Sequence, residues 1–314
     1  MNWLMAHRVA AIAAANLRRT LELAEDTYVD AFTALRRSGL MVMAQPMPGL
    51  FGGYLPAAPG RHGGILLNSR ARDEATIRHT AAHELGHAAM QHGRCVAEDL
   101  DAFTVGGGRE WTDEEKQAEA FAAWFLMPIR AVKATLVRLG LDVPREAMDA
   151  YQLSLHLGTS YHGTIRHLEH LKMLAPGVAR GWKAIPPARL RARACNSRHD
   201  VPARVWDLSG LTEGSRLPVQ AGDRLIVRAP WLGADPTLSG PDAVVMRSDA
   251  TAVAVGDGVE LDIDGHIDTE APLTLTSRSG TQSWSVTVMD TPRERQGLIA
   301  SPPARRPSTS GARR

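Results

Sequence analysis

Residues 78–93 read RHTAAHELGHAAMQHG, and this stretch decides which kind of fold the chain adopts. Asp73 is typical of the start of a helix and Gly93 is typical of a helix end, so one helix is predicted between them. Residues four apart lie on one face of a helix, with Cβ atoms about 5–6 Å apart. His83 and His87 therefore point the same way, and two imidazoles at this spacing can bind one metal ion.

Glu84 completes the pattern H-E-x-x-H, in which two histidines bind zinc and the glutamate acts as a general base. Chance predicts roughly 0.02 matches in a chain of this composition, so the pattern is informative. The alternative is a helix that merely carries histidines, because His79, His83 and His87 form a continuous row. The pair His83 and His87 is favoured because it encloses Glu84. For His79 and His92, a solvent-exposed or packing role is favoured.

A catalytic zinc site needs a third protein ligand, since three are usual beside a water. Residues 112–128, TDEEKQAEAFAAWFLMP, predict a second helix. Thr112 and Glu115 form a capping-box pattern at its start, and Pro128 lies near its end. The apolar side chains of this segment recur at helical spacing, so the predicted helix has a face that can pack on the first one.

The two segments together resemble the ImmA/IrrE family of metallopeptidases. HTAAHELGH resembles the family pattern T-x-A-H-E-L-G-H, and EKQAEAFAAWFLMP resembles its E-x-x-A-x-x-F-A-x-x-x-L-M-P signature. The preceding GLFGGYLPAAPGRHGGILLNS is also similar to the family. The resemblance covers roughly residues 1–175.

The resemblance implies a gluzincin-like site with one Zn²⁺ per chain. His83, His87 and Glu115 then bind the metal, and Glu84 is the general base. Glu119 lies on the same face as Glu115 and orients a ligand histidine, as carboxylates beside metal sites do; Glu119 as the ligand itself is the alternative. Four residues are candidates for stabilising the oxyanion: Tyr54, Tyr151, Tyr161 and His162.

The function that the resemblance implies is that of a zinc-dependent endopeptidase. Members of the family typically cleave a helix-turn-helix transcriptional repressor in a stress or mobile-element response. The alternative is a non-catalytic, zinc-containing regulator that binds a repressor or DNA. The intact Glu84 argues against this alternative, because a structural zinc site has no need of a general base.

Residues 145–174 resemble a helix-turn-helix, with a break at Gly158 and Ser160 as the N-cap of the second helix. A helical subdomain that completes the core is favoured over a DNA-binding role. A basic flank follows, which keeps DNA contact open as an alternative. It consists of Arg180, Lys183, Arg189, Arg191 and Arg193.

Composition excludes several classes of protein. The net charge of the 314 residues is only +2, so overall charge indicates no partner. The two cysteines are far apart in sequence, which excludes a disulfide framework and is typical of a reducing compartment. No segment reaches about 18 uninterrupted apolar residues, so no membrane span is expected. A cytoplasmic protein is expected.

The predicted fold class is α+β. A mainly helical, zincin-like metallopeptidase domain with a small N-terminal sheet occupies residues 1–175, including the helix-turn-helix-like segment. A basic linker at 176–200, an all-β, sandwich-like domain of unknown role at 201–292 and a disordered tail at 293–314 follow. Runs such as DRLIVRA and SWSVTVMD predict antiparallel strands. Gly64–Asn68 is predicted to be an edge strand that an extended peptide can join.

Overall fold

The fold is mixed α+β and is given by a computed structural model. It describes residues 1–70, 73–93, 95–98, 111–195, 202–228, 236–246, 258–265, 267, 269–277, 283–290 and 297–300. The helices are α1 Trp3–Thr20, α2 Ala31–Arg37, α3 Glu74–Ala89, α4 Asp113–Leu126, α5 Ile129–Arg138, α6 Ala147–Leu157, α7 Tyr161–His170, α8 Pro176–Lys183 and α9 Pro187–Ala194. The strands are β1 Met41–Gln45, β2 Leu50–Leu55, β3 Gly64–Asn68, β4 Cys95–Glu98, β5 Arg204–Asp207, β6 Arg216–Val219, β7 Asp223–Arg228, β8 Thr237–Ser239, β9 Val244–Met246, β10 Gly258–Ile263, β11 Ala271–Thr276, β12 Ser283–Asp290 and β13 Gly297–Ala300.

The chain divides into two compact units. The first comprises Met1–Leu23, Asp30–Phe125 and Glu294–Arg314, and the second comprises Ala24–Val29 and Leu126–Arg293. These units differ from the predicted domains, because helices α5–α9 belong with the β-strands that follow them. The all-β domain predicted at residues 201–292 is not confirmed by this division.

The first unit is built on a five-stranded sheet in the order β13-β1-β3-β2-β4. Strands β1 and β3 are parallel, and the other neighbours are antiparallel. Strand β3 is central, so the prediction that Gly64–Asn68 is an edge strand is wrong. In the described part of the sheet, β13 and β4 are the edges. Strand β13 lies within the segment predicted to be a disordered tail, and that prediction is wrong for these four residues; 293–296 and 301–314 lie outside the described residues.

Helix α3 begins where its sequence predicts. The carboxylate of Asp73 accepts a hydrogen bond from the backbone N–H of Thr76 at 2.8 Å, which satisfies an amide that has no partner inside the helix. Eleven of the sixteen residues of α3 are buried. Because the helix is buried on nearly every side, the polar residues His83, Glu84 and His87 lie in the interior of the first unit.

The C-cap of helix α3 is Met90, three residues before Gly93, which the sequence predicts as the helix end. Gln91 takes the left-handed conformation, with φ +58°. The N–H of His92 bonds the carbonyl of His87 at 2.9 Å, and the N–H of Gln91 bonds the carbonyl of Ala88 at 3.2 Å. This pair of bonds is the Schellman motif, and it folds His92 back towards the last turn of the helix.

Helix α4 lies very close to α3. The backbone N–H of Glu115 donates to Oγ1 of Thr112 at 3.2 Å, so the threonine half of the predicted capping box is present. A Cβ added at Gly86 of α3 would lie 2.9 Å from two ring carbons of Phe121. The glycine of the H-E-x-x-H segment therefore allows a close approach of the two helices that a larger residue would prevent.

The second unit contains two four-stranded sheets, in the orders β5-β7-β10-β9 and β6-β12-β11-β8. The pairs β5–β7 and β6–β12 are parallel, so the sheets are mixed and not antiparallel throughout as predicted. Helix α6 satisfies backbone groups of the edge strand β5. The amide of Gln152 bonds both the carbonyl of Val205 and the N–H of Asp207 at 3.0 Å.

The helix-turn-helix-like segment and the basic flank are both helical. Gly158 is left-handed with φ +62°, and Ser160 caps α7 by accepting the N–H of Gly163 at 3.1 Å, so the predicted break and N-cap are confirmed. The segment predicted to be a linker forms α8 and α9 instead, each beginning with a proline in its first turn. Residues 196–200 of that segment lie outside the described residues.

One helical stretch among the described residues, Asp113–Arg138, is long and apolar enough to cross a membrane by length and composition. More than half of its apolar window, 56%, is buried inside the fold. A core helix of a soluble protein has the same properties, so this stretch is weak evidence for a membrane span.

Candidate metal centre

Two helices of the first unit supply the candidate site. Helix α3 contributes His83, Glu84 and His87, which are 3%, 0% and 0% exposed. Helix α4 contributes Glu115 and Glu119, which lie one turn apart, with side chains 17% and 14% exposed. The sequence-predicted residues are therefore brought together in one largely buried place.

Three donor atoms converge at the centre of this group. Nε2 of His83 lies 3.1 Å from Nε2 of His87 and 3.1 Å from a carboxylate oxygen of Glu115, and Nε2 of His87 lies 3.5 Å from the other oxygen. Ligands at 2.0–2.1 Å from a tetrahedral zinc ion are about 3.3–3.4 Å apart. The spacing and the nitrogen and oxygen chemistry of the three donors therefore fit a zinc ion.

Glu84 lies next to this group and is fully buried. Neither of its carboxylate oxygens has a hydrogen-bond partner among the described residues. Burial raises the pKa of Glu84 to about 8, and the negative charge of Glu115 acts in the same direction, while His83 opposes it. Strand β2 covers this carboxyl group, since a Cβ added at Gly52 would lie 3.0 Å from its Oε1 atom. A buried carboxyl group without a partner is costly unless a proton or a cation compensates its charge.

In the metal-free protein, the neighbouring charges within this group shift the pKa values of the donor residues. Burial lowers the pKa of His83, but its hydrogen bond with Glu115 and the nearby carboxylate of Glu119 outweigh burial and raise the pKa to about 10. Burial raises the pKa of Glu115, but the bonds with His83 and His87 outweigh it and lower the pKa to about 2. The pKa of His87 is lowered, chiefly by burial. Without metal, a protonated His83 therefore pairs with an ionised Glu115 at neutral pH.

The second ring nitrogen of His83 faces Glu119. Nδ1 of His83 lies 3.7 Å from Oε2 of Glu119, and the same oxygen lies 2.7 Å from Nε2 of His79. His79, His83 and Glu119 form a second group with metal-ligand spacing. The two groups share His83, which offers Nε2 to Glu115 and Nδ1 to Glu119. This arrangement is the one expected if Glu115 is the ligand and Glu119 orients the imidazole.

Two histidines for which a solvent-exposed or packing role is predicted instead bond site residues. His79 bonds Glu119, as described above. His92 is 7% exposed, and its Nδ1 atom lies 2.9 Å from Nδ1 of His87. Its Nε2 atom lies 2.9 Å from Oε1 of Gln117 on α4. The sequence could have indicated the role of His79, because this residue lies four positions before His83 and so on the same helix face. It could not have indicated the contact of His92 with Gln117, because that contact depends on how the end of α3 approaches α4.

The candidates for oxyanion stabilisation are divided between the two units. Tyr54 lies on β2 in the first unit and is buried. The other three belong to the second unit, where their polar atoms bond backbone groups. The hydroxyl of Tyr151 accepts the N–H of Val205 at 3.1 Å, and that of Tyr161 donates to a carbonyl at 2.8 Å. A ring nitrogen of His162 lies 3.2 Å from another carbonyl.

Comparison with known families agrees with the geometry. Residues 35–157 match the model of the peptidase family M78, described as the IrrE N-terminal-like domain. The matched segment contains both α3 and α4, so the chain carries a domain of a metallopeptidase family. The match confirms the resemblance to the ImmA/IrrE family seen in the two helical motifs. The match is shorter than the predicted span of residues 1–175. No curated protein matches the chain significantly.

Proposed function

We propose that this protein is a zinc-dependent endopeptidase. The observation that carries the proposal is the convergence of His83, His87 and Glu115 at ligand spacing beside a buried carboxyl group with no hydrogen-bond partner in the described structure. A structural zinc site needs four protein ligands and no base. Three ligands with an adjacent carboxylate are the arrangement of a hydrolytic site.

Each residue of the site has a role in this proposal. His83, His87 and Glu115 would hold the zinc, which supplies a Lewis acid for the scissile carbonyl and lowers the pKa of a water molecule. Glu84 accepts the proton of the attacking water on its carboxylate and then gives it to the leaving amine nitrogen. This role requires an ionised Glu84, and a neighbouring dication favours that state. Glu119 holds the imidazole of His83 in one orientation.

The proposed substrate is a helix-turn-helix transcriptional repressor, cleaved in the cytoplasm during a stress or mobile-element response. Support for this substrate comes from the resemblance to the ImmA/IrrE family, for which it is the expected substrate class. The competing function is a zinc-containing regulator that binds a repressor or DNA without cleaving it. The two functions differ in whether Glu84 is needed.

The first experiment measures zinc per chain by elemental analysis. We expect one zinc in wild type and in Glu84→Gln, a large loss in Glu115→Gln and a smaller loss in Glu119→Gln. A larger loss in Glu119→Gln than in Glu115→Gln would exchange the two carboxylate roles. A well-folded wild type that binds no zinc when zinc is supplied would overturn the proposal.

The second experiment tests cleavage with a helix-turn-helix repressor as substrate and mass spectrometry of the products. Wild type should cut at a defined peptide bond, and Glu84→Gln should bind zinc and the repressor but cut at least about 100-fold more slowly, as loss of a general base predicts. Equal biological activity of wild type and Glu84→Gln would favour the non-catalytic regulator.

A further inference from the structure

The two histidine ligands of the candidate site are supported in different ways. His83 faces the carboxylate of Glu119 through Nδ1. His87 faces another histidine, because its Nδ1 lies 2.9 Å from Nδ1 of His92. The ring centroids of His87 and His92 are 5.0 Å apart and the ring planes meet at 71°, so the rings meet edge to face. The nitrogen contact joins two groups of the same kind, so one must carry the hydrogen and the other must accept it.

Metal binding at His87 allows only one arrangement of these hydrogens. If Nε2 binds the ion, the neutral ring carries its hydrogen on Nδ1 and donates it. Nδ1 of His92 must then accept, which places the hydrogen of the neutral His92 ring on Nε2. That atom lies 2.9 Å from Oε1 of Gln117, an acceptor. The amide nitrogen of Gln117 faces Sδ of Met1 at 3.5 Å, which agrees with this orientation of the amide.

The backbone holds both supporting residues in place. The Schellman motif at the end of α3, with Gln91 left-handed, directs His92 back onto His87. Gln117 lies on α4 two residues after Glu115. The helix that supplies the third candidate ligand therefore also supplies the end of the hydrogen-bonded chain from His87.

We propose that His92 and Gln117 are positioning residues that fix the tautomer and ring orientation of the metal ligand His87. The inference rests on the proposed zinc site. An uncharged series of hydrogen bonds suits this position electrostatically. The negative charges of Glu84, Glu115 and Glu119 together already exceed the positive charge of one Zn²⁺, so another carboxylate behind His87 would add an uncompensated buried charge.

The test is zinc affinity, measured by competition with a chromophoric chelator at fixed pH on the full chain. Loss of a residue that orients a ligand typically costs 10–100-fold in metal affinity. We expect His92→Phe, which keeps the ring but has no acceptor, to bind zinc roughly 10–100-fold more weakly. His92→Asn places Oδ1 where Nδ1 was and should recover most of the affinity. Gln117→Leu, which leaves the Nε2 hydrogen of His92 without its acceptor, should lose up to about tenfold.

Cobalt substitution gives a second readout. The visible absorption of bound Co²⁺ reports the ligand geometry, so His92→Phe should change the band positions while His92→Asn should resemble wild type. Glu114→Gln is the matched control on α4, because Glu114 is exposed and belongs to neither ligand group, and it should leave affinity and spectrum unchanged.

The outcomes separate this inference from the proposed function. Wild-type zinc affinity and an unchanged cobalt spectrum in a folded His92→Phe would show that His92 only packs, and would overturn the inference while leaving the zinc site intact. A wild type that binds no zinc would overturn both. If His92→Phe does not fold, Gln117→Leu decides: weaker zinc binding supports the chain of hydrogen bonds, and unchanged binding refutes it.

Discussion

Glu84→Gln should make the metal-free protein more stable, in addition to removing the proposed general base. The carboxyl group of Glu84 is buried without a hydrogen-bond partner in the described structure, and burial raises its pKa from 4.5 to about 8. A carboxyl group whose pKa is raised by folding stabilises the folded state fully below its unfolded pKa. That stability is lost as the pH rises through the folded pKa. Glutamine does not ionise, so the variant avoids the loss.

The size of the effect follows from the two pKa values. One pKa unit corresponds to about 1.36 kcal/mol. A pH of 7 lies about 2.5 units above the pKa of the carboxyl group in the unfolded chain, whereas the carboxyl group in the folded protein is still mostly protonated at this pH. Wild type should therefore be less stable than Glu84→Gln by about 3 kcal/mol at pH 7. At pH 5 the difference should shrink to about 1 kcal/mol.

The assay is urea denaturation of wild type and variant with a strong chelator present, at pH 5, 6, 7 and 8. Glu114→Gln on the surface of α4 is the control and should change the free energy of unfolding by no more than about 0.5 kcal/mol. Adding zinc should reduce the advantage of Glu84→Gln, because a neighbouring dication favours the ionised carboxylate. A difference between wild type and Glu84→Gln that does not grow from pH 5 to pH 8 would refute the reasoning.

Two further predictions concern packing and pH. Gly86→Ala should lower the free energy of unfolding by about 1–2 kcal/mol and weaken zinc binding, because the added Cβ would press on the ring of Phe121. The free energy of unfolding is measured by urea denaturation, and Gly177→Ala is the control, because a Cβ added there meets nothing within 4 Å. Burial, helped by a nearby arginine, lowers the pKa of His156 to about 3, so the stability that it contributes is lost as the pH falls below about 6.5. Between pH 7 and pH 5, the free energy of unfolding of wild type should fall by about 2 kcal/mol more than that of His156→Phe. Equal decreases in the two proteins would show that His156, which packs edge-on against Trp206, does not titrate in this way.

The sequence by itself determined the local features of the site. Asp73 caps α3, Thr112 caps α4, and the row of histidines follows from helical spacing. These features depend on residues three or four apart, which interact in any helix. The choice of Glu115 came from the match to a family signature. The side-chain distances agree with that choice, since Glu115 contacts the Nε2 atoms of His83 and His87.

Only the tertiary structure decided which distant segments meet. Strand β3 is central because β1 and β2 flank it, and β13 from the end of the chain pairs with β1. His92 is a partner of His87 because a left-handed Gln91 turns the backbone and because α4 places Gln117 beside it. Helix caps and hydrophobic periodicity depend on residues close in sequence, whereas the hydrogen-bond partner of a buried polar group can come from any part of the chain. Contacts between residues far apart in sequence leave no local pattern, so the contacts that support the candidate metal site are visible only in the folded chain.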